Sequence, residues 1–530
     1  MNIRHFSFRR KKKINFIRYW SYRTALCMII LLCFSLNAHA AIYYVDQSAG
    51  KDSNNGISPG TAWKNSPGMN EYSGSGRLRP GDTVYFDSAD TWKGSGTSVI
   101  NAVGGVSYIG DAWGSGTRAK FQASGECSTG IINIMDDDTV HETAFKGFEI
   151  DGKGNVTSGV AINYGPGKTR RLTGATKRIE NCVVHDCGCN QNLGQYHYGI
   201  IVSDDSGLYY VENVALIDNT VYNICRDGIC LYPPWNCTSC QVGKATVRGN
   251  EVYNTGTDPN YDYGSGIILK GNVYDVVVED NYVHDVDGTG LMIDSEADVS
   301  GQTNITVRHN IITAPGHGGQ NQDCLLIGLY GNKDIDIYGN IFMNPTAYAV
   351  EIKTEESDDT VSIRFFNNTI YNGQTYIGYI GQTSELSFKN NIFFYTGGIP
   401  FRDLNGNTSS HAGNIYYRGG STLVYSNGFG YNTGNLVSYE SSAYSSDPDF
   451  VNTNNLPSGF TGLYGKNSAP NTDGLNLRSG SNGIDNGVSL SSSFSRSINS
   501  VVRPVGNGWD IGAYEQPLPA PSNLMIPEKY

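Results

Sequence analysis

The sequence predicts an all-β fold, a solenoid of stacked coils in which each coil contributes three short strands. An Asn followed two places later by Val, Ile, Phe or Tyr recurs at spacings of 38, 31, 31, 29, 30, 28, 23 and 23 residues. Every repeat has the same order: an alternating strand, the Asn, a second strand, a turn with Gly and an apolar third strand. No amphipathic helix separates the repeats, which are shorter than the roughly 40 to 50 residues of a propeller blade. The recurring residues are Asn181, Asn219, Asn250, Asn281, Asn310, Asn340, Asn368, Asn391 and Asn414.

The recurring Asn is expected to occupy one fixed corner of each coil. Asn tolerates left-handed backbone, and its side-chain amide can hydrogen-bond the Asn of the next coil. A row of such amides would hold the coils in register.

Residues 1–40 precede the repeats and have the character of a secretory signal peptide. They contain eight Lys and Arg and no acidic residue, then an apolar run over residues 25–36 and the small-residue ending Ala38-His39-Ala40. A single-pass membrane anchor is the alternative. No later stretch reaches the roughly 18 apolar residues that a membrane span needs. The sequence therefore predicts an extracellular or periplasmic protein without a membrane span after signal removal.

The composition describes a large acidic protein rather than a disordered chain or a small disulfide scaffold. The 530 residues carry a net charge of −12, with 65 Gly and 35 Tyr. Without the leader, 30 Lys and Arg face 50 Asp and Glu, a net charge of about −20. Nucleic acid is therefore excluded as a partner, and we expect a monomer.

Nine cysteines remain after removal of the leader, and most lie between residues 182 and 240. An oxidising compartment allows disulfides among them. The alternative is a metal site formed by Cys237-Thr-Ser-Cys240 with Cys187-Gly-Cys189.

The two ends of the chain carry recognisable segments. Near the start, Tyr43-Tyr44-Val45-Asp46 is followed by Pro80-Gly81-Asp82-Thr83-Val84-Tyr85-Phe86, and near the end Arg503-Pro504 is followed by Asp510-Ile511-Gly512-Ala513-Tyr514-Glu515. These segments resemble the opening and closing segments of secreted right-handed parallel β-helix proteins of the pectate-lyase-like superfamily. The resemblance implies a right-handed parallel β-helix with N-terminal and C-terminal caps. It does not select a reaction, because that superfamily contains lyases, hydrolases, epimerases and non-catalytic proteins.

The expected organisation has five segments. Residues 1–40 are the signal peptide, 41–160 the N-terminal cap and first coils, and 161–425 the β-helix core with inserts that form a cleft. Residues 426–516 are the C-terminal coils and cap, and 517–530 a tail.

The third strands can be aligned by their inward apolar pairs, because alternate strand residues face opposite sides. The pairs are Ile200/Val202, Ile229/Leu231, Ile267/Leu269, Leu291/Ile293, Leu325/Ile327 and Val350/Ile352. Two outward columns and one column of turn residues follow from this alignment. The turn column is Tyr198, Asp227, Ser265, Thr289, Asp323 and Tyr348, the middle column is Ile201, Cys230, Ile268, Met292, Leu326 and Glu351, and the outer column is Ser203, Tyr232, Lys270, Asp294, Gly328 and Lys353.

The outer column suggests a lyase acting on a uronate-containing polysaccharide. Coils lie about 4.8 Å apart, so Tyr232, Lys270 and Asp294 are expected to form one patch, with Lys353 two coils further on. β-Elimination needs a base near the proton alpha to a carboxylate. Lys270 is the candidate base, Tyr232 the candidate acid, and Lys353 or calcium the group that neutralises the substrate carboxylate. A structural Lys270–Asp294 ion pair is the competing interpretation.

Carboxylates on the same columns support a second reaction, glycoside hydrolysis. Two carboxyl groups that flank a glycosidic bond are the usual catalytic pair. The candidates are Asp227, Asp294, Asp323 and Glu351. A non-catalytic glycan-binding or adhesin role is the third alternative.

Substrate-binding and metal-binding residues are also suggested. Aromatic and basic side chains near the columns suit a sugar chain, which stacks on rings; the candidates are Tyr198, Arg226, Trp235, Tyr263, His317 and Lys353. His317 lies in a Gly-His-Gly segment that resembles one in polygalacturonases, but the paired Asp of that family corresponds to Gly288 and Thr289. Calcium is a candidate cofactor because hard oxygen ligands cluster nearby, with Asp287, Glu296 and Asp298 as its expected ligands.

Overall fold

The computed structural model describes residues 40–135, 138–162, 172–194, 196–203, 210–233, 237, 240–258, 264–295, 302–313, 322–328, 333–353, 362–378, 384–404, 406, 409–418, 420–458 and 474–517. The chain divides into two units, Met1–Ala41 and Ile42–Tyr530. No helix in the described part of the chain is long and apolar enough to cross a membrane. Its four helices are single 3-10 turns at Pro59–Thr61, Gln191–Leu193, Leu436–Ser438 and Ser492–Phe494.

The predicted solenoid is confirmed: successive coils stack in parallel and form three long sheets. In each central coil the chain passes through the first sheet, then the third, then the second. The first sheet contains Ile42–Val45, Thr83–Phe86, Ser107–Ile109, Thr143–Lys146, Lys177–Glu180, Tyr210–Ile217, Gln241–Arg248, Val273–Glu279, Thr303–Arg308, Lys333–Tyr338, Ser362–Phe366, Glu385–Lys389 and Ser409–Ala412.

The second sheet carries the predicted outward columns. Its parallel strands are Ile100–Asn101, Ile132–Ile134, Ser158–Ile162, Tyr198–Val202, Asp227–Leu231, Ile267–Lys270, Leu291–Asp294, Leu325–Gly328, Val350–Lys353, Thr375–Ile377, Phe401–Asp403 and Val424–Ser426. Phe429–Tyr431 pairs antiparallel with the last of these and ends the sheet.

The third sheet closes each coil on its remaining side. It contains Thr91–Gly96, Lys120–Cys127, Glu149–Asp151, Val183–Cys187, Thr220–Ile224, Glu251–Thr255, Tyr282–Val286, Ile311–Thr313, Ile341–Met343, Thr369–Tyr371, Ile392–Phe394 and Ile415–Tyr417. The inward residues of all three sheets form one continuous apolar core along the axis.

An asparagine ladder, formed by the eight Asn residues from Asn219 to Asn414, joins consecutive coils. Each Nδ2 donates to the Oδ1 of the next Asn at 2.9 to 3.2 Å. The same Oδ1 accepts the backbone N–H of the preceding Asn, so each amide satisfies two donors. The predicted hydrogen-bonded corner is therefore confirmed.

Two details of that prediction are wrong. The left-handed residue is the one before each ladder position, with φ between 51° and 68°: Asn181, Asp218, Gly249, Asp280, His309, Gly339, Asn367, Asn390 and Gly413. The ladder Asn itself has ordinary backbone, and its amide makes the contact between coils. Asn181 is not a ladder member, because Cys182 occupies that place and its N–H donates to Asn219 Oδ1 at 3.0 Å.

The C-terminal segment ends the ladder and also covers a side of the coils. Glu440 accepts both the N–H and the Nδ2 of Asn414, at 2.8 and 2.9 Å. The outward side of the third sheet packs against Phe450, Leu475, Leu477, Ile498, Ile511, Ala513 and Tyr514. There a fully buried Arg503–Glu515 ion pair of 2.8 Å holds the predicted closing motif together.

Two disulfides account for four of the cysteines. Cys189 is bonded to Cys225, and Cys237 to Cys240. The metal site predicted as an alternative is therefore wrong, because three of its four thiols are oxidised. The fourth, Cys187, is buried, and burial raises the pKa of its thiol.

We predict that Asn310→Ala lowers the free energy of unfolding by about 3 kcal/mol or more, because it leaves two buried donors of Asn281 without an acceptor. Chemical denaturation followed by circular dichroism measures this change. Asn482→Ala, at an exposed Asn, is the matched control. Equal denaturation midpoints for the two variants would contradict a ladder that stabilises the stack.

Candidate active site

The predicted register of the second sheet is confirmed in every coil that was aligned. Lys270 pairs with Asp294, Asp294 with Gly328, and Gly328 with Lys353. The inward pairs also align, from Ile200/Val202 to Val350/Ile352. The outward side of this sheet, from Tyr198–Val202 to Val424–Ser426, is named the second-sheet face.

The first half of the second-sheet face is apolar and covered. Ile201, Cys230 and Ile268 point away from the core, yet each is at most 6% exposed. They form a separate cluster with Tyr198, against which Tyr232 packs. Tyr198 is only 4% exposed, so its ring offers no face to a sugar in this structure.

Asp227 and Arg226 lie beside this cluster and interact with each other. Arg226 Nε is 3.4 Å from Asp227 Oδ2, and the Ser265 N–H donates to Asp227 Oδ1 at 3.0 Å. Arg226 also lies over the ring of Tyr196, at 4.6 Å from its centroid. Burial raises the pKa of Asp227. These contacts connect neighbouring coils, and Asp227 is 4% exposed.

Lys270, Asp294 and Tyr232 come together as predicted. Lys270 Nζ lies 3.7 Å from Asp294 Oδ2 and 5.7 Å from the centroid of the Tyr232 ring. The Lys270 side chain is 32% exposed and that of Asp294 12%. A carboxylate at this distance favours the ammonium form of the lysine. The expected ion pair is therefore present, and it opposes a role for Lys270 as a base.

A second charged group lies two coils further along the same face. Lys353 Nζ is 2.9 Å from Glu351 Oε2, and the positive charge of the lysine compensates the negative charge of the carboxylate. The turn column brings Asp323 close to Glu351. Burial and, next, the negative charge of Glu351 raise the pKa of Asp323 to about 7. The Tyr348 N–H donates to Asp323 Oδ1 at 2.9 Å.

Asp323 therefore keeps its proton up to near neutral pH, beside Glu351. Two carboxyl groups in contact cannot both ionise without strong repulsion, and burial adds to that cost. Asp323 Oδ2 has no hydrogen-bond partner of ordinary geometry among the described residues. Glu351, in the middle column, is the member that points outward.

Gly328 leaves a gap between the two charged groups. It pairs with Asp294 on one side and Lys353 on the other and has no side chain. A Cβ placed on Gly328 would lie 3.1 Å from Asp294 Oδ1. The Asp294 carboxylate therefore leans over Gly328, toward the Glu351 side of the gap.

Three site residues were not singled out from the sequence. The middle column continues from Glu351 to Tyr376, Arg402 and Tyr425. All three are half-buried, unlike the covered apolar residues of the first half. The same alternation, continued over the next three strands, reaches all three residues.

Several predicted residues lie outside the described part of the chain. They are Trp235, Tyr263, Glu296, Asp298 and His317. The roles given to them stay predictions.

The arrangement of the coils agrees with comparisons to known proteins. Residues 171–323 match the family model described as "Right handed beta helix region". The chain is a right-handed parallel β-helix protein. The family match and the three parallel sheets confirm the predicted resemblance at the level of the fold.

Solved structures similar to this β-helix have low sequence identity to it. The crystal structure of pectate lyase Pel9A is 15% identical, with 90% of this chain and 97% of that chain covered and a TM-score of 0.47. The complex of XylC with xylose is 11% identical, with 89% and 98% covered and a TM-score of 0.46. A GH136 lacto-N-biosidase from Eubacterium ramulus is 13% identical, with 78% and 69% covered and a TM-score of 0.43. Comparison with curated protein sequences finds no match.

Calcium has no ligand set on the second-sheet face among the described residues. Their one group of three close metal-binding side chains in the β-helix is Glu149, Asp151 and His185, on the third sheet. Lys120 Nζ lies 2.8 Å from both Glu149 Oε1 and Asp151 Oδ2, so an ammonium group occupies the place between the carboxylates. Of the expected calcium ligands only Asp287 is described, and it is not part of that group. Calcium binding therefore stays a prediction.

We predict that the free energy of unfolding of the wild-type protein decreases as the pH rises from about 4 to about 7, and that it decreases more than that of the Asp323→Asn variant. In that range the folded state keeps the proton on Asp323, whereas the unfolded state has lost it, so rising pH favours unfolding. Thermal unfolding across the range measures the slope. Asp275→Asn, at an exposed Asp of the first sheet, is the control, and a wild-type slope equal to that of Asp323→Asn would contradict a protonated Asp323.

Proposed function

We propose that the chain is a secreted glycoside hydrolase that cleaves a polysaccharide on the second-sheet face. One observation carries this proposal. A carboxyl pair that holds a proton near neutral pH and a lysine-paired carboxylate lie on the same face, on either side of a residue without a side chain. That combination of one acid and one base is what glycosidic hydrolysis requires.

The acid is the Asp323–Glu351 pair. Its proton is stabilised by burial and by the repulsion between the two carboxylates. Glu351 would deliver the proton to the oxygen of the departing sugar, and Asp323 would hold the proton until then. Lys353 compensates the negative charge that Glu351 carries while Asp323 holds the proton.

The base is Asp294. The Lys270 ammonium, 3.7 Å from its carboxylate, favours the ionised form. An ionised carboxylate can take a proton from a water molecule that attacks the sugar ring. Under this proposal Lys270 keeps Asp294 charged instead of acting as a base itself.

The column geometry favours an inverting reaction. Two coils separate Asp294 from Glu351, about 10 Å along the axis, and Glu351 also lies two residues along the strand from Lys353, the residue in register with Asp294. The Asp294 carboxylate lies over Gly328, in the intervening coil, which shortens the axial part of the gap between the carboxyl groups. Inverting hydrolases use carboxyl separations of roughly 6.5 to 9.5 Å, which leave room for a water molecule.

The remaining features agree with an extracellular glycan-degrading role. Two disulfides are compatible with an oxidising compartment, as the basic and apolar leader suggests. The half-buried rings of Tyr348, Tyr376 and Tyr425 lie along the same face. Aromatic rings of this kind bind sugars, and a monomer would suffice for the activity.

A polysaccharide lyase with Lys270 as base and Tyr232 as acid is the second candidate. The observation that favours it is the contact of the Lys270 ammonium with the Tyr232 ring. It needs a neutral Lys270, which the neighbouring Asp294 opposes.

We predict that the wild-type protein releases reducing ends from its polysaccharide without forming an unsaturated product that absorbs near 235 nm. Glu351→Gln and Asp294→Asn should each lower kcat by about 100-fold or more, since each removes an acid or base group. Lys270→Met should lower kcat less and leave the product type unchanged. The assay is a panel of neutral and acidic polysaccharides read for both signals.

Glu385→Gln, at an exposed Glu on the first sheet, is the matched control and should keep full activity. Unsaturated product that disappears in Lys270→Met would establish the lyase instead. Full activity of Glu351→Gln would remove the carboxyl pair from the mechanism.

We predict that kcat falls as the pH rises through about 7, because the Asp323–Glu351 pair then loses its proton. A lysine base would produce the opposite trend, with activity increasing at alkaline pH. The pH profile of kcat on the best substrate measures this. Activity that continues to rise well above pH 8 would contradict the carboxyl pair as the acid.

A further inference from the structure

Arg402 occupies the middle column two coils beyond Glu351, between two tyrosines. Its register partners are Tyr376 in the preceding coil and Tyr425 in the following coil. The guanidinium carbon lies 6.0 Å from the centroid of the Tyr376 ring and 5.2 Å from that of Tyr425. Tyr348 stacks on Tyr376 at 4.8 Å with an interplanar angle of 15°, which supports the first ring. Tyr376, Arg402 and Tyr425 are together named the arginine clamp.

The arginine clamp holds a positive charge without using its hydrogen-bond donors. Cation–π contacts engage the face of a guanidinium group, whereas its five N–H donors point outward in its plane. Arg402 makes no hydrogen bond or ion pair with any residue that the structure describes, and its Nε is buried without a partner. By contrast, the described Arg308, Arg364, Arg478 and Arg503 all have a carboxylate within 4.0 Å.

Among the residues that the structure describes, none around the clamp gives Arg402 a carboxylate of its own. Glu351 is two coils away and is already paired with Lys353. Asp403, the next residue, occupies an inward position of the strand and accepts the Gly406 N–H at 3.0 Å. The protein outside the leader carries a net charge of about −20, so an unpaired cation on this face is a local exception that favours an anionic ligand.

We propose that the arginine clamp is a binding subsite for a sugar that carries a carboxylate. A planar guanidinium group with free donors matches a carboxylate through two parallel hydrogen bonds. The flanking tyrosines add ring surfaces on which the sugar can pack. The subsite rests on the proposed function, because it extends the same face from the Asp323–Glu351 pair toward the C-terminal coils.

The position of the clamp fits a chain that runs along the axis of the β-helix. Arg402 lies five coils from Lys270, about 24 Å along the axis, and two coils, about 10 Å, from Glu351. A polysaccharide laid along these coils would therefore reach the clamp several sugars away from the Asp294 end. The clamp identifies the substrate class as a uronate-containing glycan.

Binding is tested in the Asp323→Asn protein, which preserves the face and slows cleavage. The probes are tetrasaccharides of galacturonate, mannuronate and guluronate, together with the methyl ester of the galacturonate tetrasaccharide. Calorimetric titration at low salt measures each dissociation constant. We expect at least one uronate tetrasaccharide to bind, and Arg402→Gln to weaken that binding about tenfold or more. If the galacturonate tetrasaccharide is the ligand, its methyl ester should bind to the parent protein only as weakly as the unesterified tetrasaccharide binds to the Arg402→Gln variant.

Two variants separate the clamp from a general effect of charge or folding. Arg402→Lys keeps the charge but not the paired donors, so its affinity should lie between that of the parent and that of Arg402→Gln. Arg364→Gln removes an exposed Arg of the first sheet, which pairs with Asp336, and should bind like the parent. Unchanged affinity in Arg402→Gln, or no binding by any of the uronates, would overturn the subsite.

Failure of the subsite and failure of the catalytic proposal give different results. Arg402-dependent binding without cleavage by the wild-type protein would keep the subsite and reject the hydrolase. Cleavage by the wild-type protein with affinity unchanged in Arg402→Gln would reject the subsite and keep the hydrolase.

Discussion

One side-chain amide per coil, hydrogen-bonded to the amide of the next coil, holds the central coils of the β-helix in register. The ladder from Asn219 to Asn414 is buried, so removing one Asn side chain would leave the N–H donors of its neighbour without a hydrogen-bond partner, either protein or water. The left-handed residue before each Asn turns the chain at the same corner. Because of this register, residues far apart in sequence lie about 4.8 Å apart on one face.

Because the coils are in register, one strand position carries side chains of different chemical character in successive coils. In the middle column, the buried Ile201, Cys230 and Ile268 give way to Glu351, and then to Tyr376, Arg402 and Tyr425. The backbone is the same throughout, so the side chains alone change a covered apolar surface into a polar one. Burial then sets the chemistry, since it gives Asp323 a proton near neutral pH while Lys270 keeps Asp294 charged.

The recurring Asn was enough to predict the fold, and alternation along the third strands predicted the inward pairs and the contact of Lys270 with Asp294. It could not predict which outward residues are buried, because burial depends on the folded arrangement and not on alternation along one strand. The aligned series ended at Val350/Ile352 because Thr375 and Asp403 occupy inward positions of the next strands and interrupt the apolar pattern. Arg402 follows Thr375 in the sequence, one strand after the apolar pattern is first interrupted. The raised pKa of Asp323 depends on burial and on a neighbour one coil away, neither of which the sequence displays.

The proposed reaction takes place on the second-sheet face, between Asp294 and Glu351, with the substrate extending toward Arg402. A crystal structure of Asp323→Asn with an uncleaved oligosaccharide tests it most directly. The account predicts a sugar chain along the axis, with a glycosidic oxygen beside Glu351 and the ring before it over Gly328. A sugar chain bound on the first or third sheet, with the second-sheet face empty, would contradict it.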